Sequence, residues 1–247
     1  MSQSEAPYLP PRPTAPTPLG QYRLLSPLAS IRVSPIQLGA MSVGTEWSKG
    51  MGDMNRESSF RLLDAYFEAG GNFVDTACNY QDGTSEGLLG EWMELRGNRD
   101  QMVIATKYSS PWKGNDASIA QKVHYTGNGT KSLHLAVNGS LKKLRTDYID
   151  ILYCHWYDWE TSVEELMNSL HHLVLSGKVL HLGISDAHAW IVAQANQYAK
   201  DHGKTPFCIY QGQWNLGKRS FEREIIPMAR ELGQSPPVNS HPLRYSS

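Results

Sequence analysis

Long hydrophobic runs are missing from this sequence. No stretch of about 18 apolar residues occurs, so no bilayer-spanning helix is expected. An excess of either charge is missing too: 23 Lys and Arg nearly balance 24 Asp and Glu, for a formal net charge of −1. That argues against a nucleic-acid partner or a charged membrane surface. The first twenty residues lack the charged-then-apolar order of a signal peptide. Cysteine is scarce. Cys78, Cys154 and Cys208 are odd in number and far apart, which fits a reducing compartment, and a cytoplasmic chain is expected. No CxxC or HxH pairing accompanies Cys78, Cys154 and His155, and His171 and His172 are adjacent rather than one helical turn apart. No metal site is expected.

What is present is an ordinary globular composition, 40% hydrophobic over 247 residues, large enough for a sizeable core. Residues 1–20 stand apart. They hold six of the fourteen prolines and few bulky apolar residues, too little surface to offset the entropy of ordering. A disordered leader is expected, although its PxxP spacings (Pro7/Pro10, Pro10/Pro13) are also of the kind that docks an SH3-like groove. Tyr22 to Val33 reads as two short segments of a hairpin at the bottom of a domain.

From there strands and helices alternate. Strands are expected at Pro35–Val43, 72–76, Met102–Thr106, Ile149–Cys154, Val179–Ile184 and Phe207–Gln213. The helix at Glu57–Ala69 carries Phe60, Leu63 and Phe67 at helical spacing and stops at Gly70-Gly71. Others follow at Ser85–Leu95, over Leu133 to Leu144, after a Ser162…Glu165 capping box as far as Leu175, and over Trp190–Ala199. A last one runs from Phe221 to Leu232, with Pro227 bending it or resetting its start. Regular βα alternation means a parallel sheet, doubly wound or closed as a barrel. The first strand leads into Gly39-Ala40-Met41-Ser42-Val43-Gly44-Thr45, which is not the GxGxxG of a dinucleotide-binding sheet. The fold expected is therefore α/β, of the (β/α)8 TIM-barrel type. It is incomplete, since the barrel has eight units and six are legible. Residues 21–233 would form the partial barrel and 234–247 an irregular tail. The inner faces of its strands would then stand open to water on one side, favouring self-association through the open barrel edge.

Chemistry gathers where the strands run out. The stretch Asn72 to Tyr80, NFVDTACNY, ends its strand in Asp75 and carries Tyr80 in the following loop. Lys107 follows MVIAT, His155 follows IDILYC, Ser185-Asp186 follow the fifth strand, and Gln211 lies in the sixth. Each alone has a plain reading: a solvated lysine, a satisfied core histidine, a packed tyrosine. Together, on consecutive strand ends of a barrel, they describe a reaction. Lys107 lowers the Tyr80 pKa, Asp75 holds Lys107 charged, and His155 polarises a carbonyl oxygen. The chemistry is carbonyl reduction with Tyr80 as general acid. Trp112, Trp156, Tyr157 and Trp159 follow strand ends and could wall a pocket for a flat substrate, or be ordinary loop packing.

Over residues 20 to 233 the sequence resembles the aldo-keto reductases, in GGNFVDTACNY, MVIATK, DYIDILYCHW, LGISD and YQGQWNL. The nearest branch is the fungal aryl-alcohol dehydrogenase and norsolorinic acid reductase type of secondary-metabolite clusters. The resemblance implies Asp75, Tyr80, Lys107 and His155 as the catalytic tetrad. It implies NADP(H), held at its nicotinamide end by Asp75, Ser185, Asp186 and Gln211 with Gly44 and Thr45 nearby. It also implies a small aromatic or polycyclic carbonyl substrate against His155, Trp112 and Trp156. Ser185-Asp186 departs from the commoner Ser-Asn pair, but both can bond a carboxamide. After Gly233, where the family continues into strands seven and eight, the sequence shows no strand pattern. Two readings stay open: an NADPH-dependent reductase or alcohol dehydrogenase with a shortened C-terminus, or a catalytically impaired relative. The latter would be a binding or regulatory protein like the potassium-channel β subunits, or a non-functional product.

Overall fold

The structure is a computed structural model that describes residues 14–235 and 238–239. The PxxP spacings, most of the expected leader and most of the tail lie outside the described residues. Residues 14–20 are seated on the body. Thr17 Oγ1 donates to the Ala69 carbonyl at 2.7 Å, and a single 3₁₀ turn, Pro18–Gly20, follows.

Strands β1 (Arg23–Ser26) and β2 (Ala29–Val33) form the expected antiparallel hairpin. Six parallel strands follow in chain order: β3 (Leu38–Gly39), β4 (Phe73–Asp75), β5 (Val103–Tyr108), β6 (Ile149–Cys154), β7 (Val179–Ser185) and β8 (Phe207–Gln213). A short seventh, β9 (Val238–Asn239), pairs parallel with β8. The helices between them are α1 (Ser48–Met51), α2 (Arg56–Glu68), α3 (Thr84–Arg96), α4 (Thr130–Leu144), α5 (Val163–Leu175), α6 (Ala189–Asp201) and α7 (Ile225–Glu231). No helix among the described residues is long and apolar enough to cross a membrane.

Three differences from the sequence expectations have local causes, and one expected alternative is realised. The strand expected over Pro35–Val43 shrinks to Leu38–Gly39 because the carbonyls beyond it are captured: Ser85 Oγ donates to Ala40 and Gln81 Nε2 to Met41. The tail supplies β9 because β8 has an unsatisfied edge. Tyr210 N donates to the Ser235 carbonyl at 3.0 Å, and Ser235 N to that of Cys208 at 3.2 Å, which steers the chain alongside. Ser162 caps α5, its Oγ accepting from Glu165 N at 3.1 Å. Glu165 instead reaches across to α4, where its Oε1 accepts from Thr130 N and Thr130 Oγ1. Pro227 resets a helix start: a 3₁₀ turn at Ser220–Glu222 precedes α7, where Pro227 stands in the first turn and lacks no needed N–H.

Two cores result. Helices pack on the outside of the sheet, through residues such as Leu63, Trp92, Val137, Leu166 and Val192. The inside is filled by Phe73, Val103, Ala105, Ile151, Tyr153 and Ile209, with Leu25, Ala29 and Val33 of the hairpin against them. These inner residues are at most 6% exposed. The inner face is thus not open to water, as the unit count suggests it should be, because the hairpin covers it. The hairpin is tied down by Asn72. Its Oδ1 accepts from Ser34 N (2.8 Å) and Ser34 Oγ (3.0 Å), its Nδ2 donates to the Arg32 carbonyl, and its own N–H donates to Ser34 Oγ. Beside it, Gly71 ends the turn after α2. A Cβ there would lie 2.4 Å from the Tyr66 ring, whose hydroxyl anchors Ile36 and Phe73.

Candidate active site

Side chains alternate across a strand, so a residue two beyond an inward one also points inward. Phe73 leads to Asp75, Ala105 to Lys107, Tyr153 to His155, and Ile209 to Gln211. Ser185 shares the face through its register with Gln211. The same period that fills the barrel therefore delivers the chemical groups to its C-terminal end. Register brings the strands level, with Asp75 opposite Ala105 and Lys107 opposite Tyr153.

Lys107 is 1% exposed. Its ammonium donates to both Asp75 oxygens at 2.6 Å and to the Thr76 carbonyl at 2.8 Å, so all three of its protons have acceptors. Burial by itself would lower the Lys107 pKa, but Asp75 and Tyr80 outweigh it and hold the group charged. Tyr80, also buried, lies with its ring centroid 4.8 Å from that ammonium. Burial raises the phenol above its ordinary value, Lys107 pulls it down and Asp75 adds to the rise; the net direction is up. The net lowering expected from the sequence is thus corrected, because desolvation penalises the phenolate more than one ammonium favours it. Tyr80 keeps its proton at neutral pH.

His155 follows β6, its ring 6.0 Å from that of Tyr80 and nearly perpendicular. Burial, with a smaller contribution from Lys107, pushes its pKa down to about 3. The imidazole is therefore neutral and carries one N–H. Ser110 Oγ sits 3.0 Å from Nδ1 and accepts from Trp156 Nε1 at 3.2 Å. With the hydroxyl proton directed at Nδ1, the ring N–H lies on Nε2. Asn128, fully buried, locks this corner: it donates to Ser109 Oγ and the Trp156 carbonyl, and exchanges bonds with Asp158.

On the other side Ser185 is buried and Gln211 is fully buried, yet neither amide atom of Gln211 has a hydrogen-bond partner among the described residues. Asp186 is exposed, with its N–H on the Gln211 carbonyl and a left-handed φ of 42°. Gly44 bridges to Met54, and Thr45 beside it is exposed. The aromatics divide. Trp156 joins the Ser110–His155 corner, whereas Trp112 packs over Gly139 of α4 and edge-on to Tyr125. Trp159 is exposed, edge-on to Tyr157 and His188. Sequence reasoning missed Ser110, Asn128 and Gln81. Small polar residues in loops carry no period, and only their partners across the fold single them out.

This face offers a proton donor, a fixed cation beneath it, a neutral N–H donor beside it and an unsatisfied amide opposite. That set suits delivery of a proton to an oxygen as charge develops there. The aldo/keto reductase family profile matches residues 35–245. An aryl-alcohol dehydrogenase [NADP(+)] of Phanerodontia chrysosporium is 57% identical over 228 residues, 91% of this chain and 59% of that protein. A putative aryl-alcohol dehydrogenase of Saccharomyces cerevisiae is 55% identical over 225 residues, 91% of this chain and 60% of the relative. A norsolorinic acid reductase of Emericella nidulans is 55% identical over 224 residues, 91% and 58%. The chain spans about three fifths of the length of these curated relatives.

Proposed function

The chain belongs to the aldo/keto reductase family, and from that premise we propose that it is an NADP(H)-dependent oxidoreductase using Tyr80 as general acid. Its substrate is a small aromatic or polycyclic carbonyl compound, its setting cytoplasmic fungal secondary metabolism. The relatives' names, an aryl-alcohol dehydrogenase and a norsolorinic acid reductase, support the substrate class. The observation that carries the reading is the buried Asp75–Lys107 pair set under the Tyr80 ring. A buried ion pair is weak evidence of stability, so its place beneath a protonated phenol calls for a chemical reason.

The residues fit the cofactor. Gln211 presents a donor and an acceptor that have no partner among the described residues, complementary to a carboxamide, and Ser185 adds a hydroxyl from the neighbouring strand. When bound, the nicotinamide supplies the hydride. The substrate oxygen accepts a hydrogen bond from His155 Nε2 and the proton from Tyr80, and Lys107 stabilises the phenolate left behind. Self-association through the sheet edges belongs to the same proposal, since β3 and β9 each keep one unpaired side among the described residues.

Titration with NADPH followed by nicotinamide fluorescence, then turnover of an aromatic aldehyde, tests the reading. Tyr80→Phe should keep NADPH binding and lower turnover by on the order of 10² to 10⁴-fold. Unchanged turnover would remove Tyr80 from the mechanism. NADPH binding without turnover in the wild type would indicate a binding or regulatory relative instead.

A further inference from the structure

Three successive residues after Tyr80 have left-handed backbones: Gln81 (φ 52°), Asp82 (φ 54°) and Gly83 (φ 94°). Glycine adopts that region freely; Gln and Asp do so only where the surroundings hold them. Gln81 shows what holds them. Its side chain is fully buried, Oε1 accepts from Trp47 N at 2.7 Å, and Nε2 donates to the Met41 carbonyl at 2.9 Å. Its own carbonyl takes the Thr84 hydroxyl at 2.8 Å. The first loop is shaped to receive it. At Gly44 (φ 130°) a Cβ would come within 2.8 Å of both Gln81 Cβ and Cγ.

The two bonds of Gln81 span residues 41 to 47, and the same loop returns to the phenol. The Trp47 indole meets the Tyr80 ring edge-on at 6.3 Å, and its Nε1 donates to Asp82 Oδ1 at 3.1 Å. Tyr80 is thus bounded by Trp47 on one side and by His155 and Lys107 on others.

We propose that Gln81 is a positioning residue for Tyr80: its amide fastens the left-handed turn after the phenol to the 41–47 loop and so fixes the hydroxyl's direction. This rests on the reading of Tyr80 as the proton donor. It makes the Tyr80 loop and the loop bearing Gly44 and Thr45 one unit, which the short β3 alone would not do. Misplacing a reacting group by about 1 Å costs on the order of 10²-fold in rate, so a strained but clamped turn serves an acid better than a relaxed mobile one.

The experiment compares wild type, Gln81→Gly, Gln81→Glu and Asn115→Ala in the full chain. Gly suits the backbone and removes both bonds. Glu keeps the acceptor for Trp47 N and sets an oxygen against the Met41 carbonyl. Asn115 makes an exposed bond to Asp82 at 2.9 Å, outside the clamp. The first readout is ultraviolet titration of Tyr80, assigned by subtracting Tyr80→Phe, and it requires no turnover. The charged and titratable groups that face the phenol are Lys107 of β5, Asp75 of β4, His155 after β6 and Asp186 after β7. None is altered. Gln81→Gly should move the Tyr80 midpoint down toward its ordinary value as water reaches the ring, Gln81→Glu part of the way, and Asn115→Ala not at all. Where turnover is measurable, kcat should fall on the order of 10²-fold in Gln81→Gly with KM nearly unchanged. An unmoved Tyr80 titration in folded Gln81→Gly or Gln81→Glu overturns the proposal, and so does an equal shift in Asn115→Ala. Loss of the general-acid reading appears separately, as turnover that survives Tyr80→Phe.

Discussion

The ammonium of Lys107 is surrounded by acceptors, and its charge state is set by them rather than by water. Burial opposes the charge, and the two Asp75 oxygens overcome it. His155 illustrates the converse, a group kept neutral because burial and the nearby Lys107 act in the same direction. Its folded pKa, about 3, lies below the ordinary value of about 6.5. Between the two the unfolded chain binds the proton and the folded chain does not, so the stability His155 contributes is complete above the upper value and is lost as pH falls toward the lower. The expected outcome is that the urea midpoint of the wild type drops on acidification through this window, and that His155→Asn drops less. Parallel curves for the two proteins would show that the imidazole is not kept neutral in the fold.

At the scale of elements, the hairpin β1–β2 matters more than its length suggests. It covers the apolar inner face, and Asn72 at the entry to β4 is the clasp that holds it. Truncation leaves the buried Ser34 N–H without its acceptor, and an orphaned buried donor costs about 1–3 kcal/mol. Asn72→Ala should therefore lower the unfolding free energy by that amount, read from denaturant melts, while the Asp75–Lys107 pair at the other end of β4 and on β5 stays assembled. A loss near zero would mean that the hairpin docks by its apolar contacts alone. Glu165 makes a similar link between α4 and α5, serving the helix next door rather than its own N-terminus.

Taken whole, the described sheet runs β3-β4-β5-β6-β7-β8-β9 without joining its ends. Its interior is nonetheless dry, so what remains available for association is backbone at two short edges rather than an apolar face. Such edges template pairing weakly in proportion to their length. Size-exclusion with light scattering should show reversible self-association that grows with concentration, together with a single cooperative thermal transition. A mass that stays monomeric at every concentration would show that two-residue edges are too short to pair.

Period and composition were enough to read the parallel βα alternation and to place candidate site residues at the strand ends. Those features are local: the period-two pattern that makes Ala105 and Tyr153 interior residues also points Lys107 and His155 to the same face. The tertiary structure alone decided the rest. β3 is short because Ser85 and Gln81, some forty residues later, take its carbonyls. The tail forms β9 because β8 offers Tyr210 N and the Cys208 carbonyl. Tyr80 titrates upward because burial, a property of the whole packed molecule, outweighs the one ammonium that the spacing of strand ends could reveal. Gln81 reads in sequence as any loop residue, and its place beside the phenol is visible only once Met41 and Trp47 are folded against it. Sequence carries what repeats along the chain; hydrogen-bond partners remote in sequence, and the desolvation that sets a charge, exist only after the chain has closed on itself.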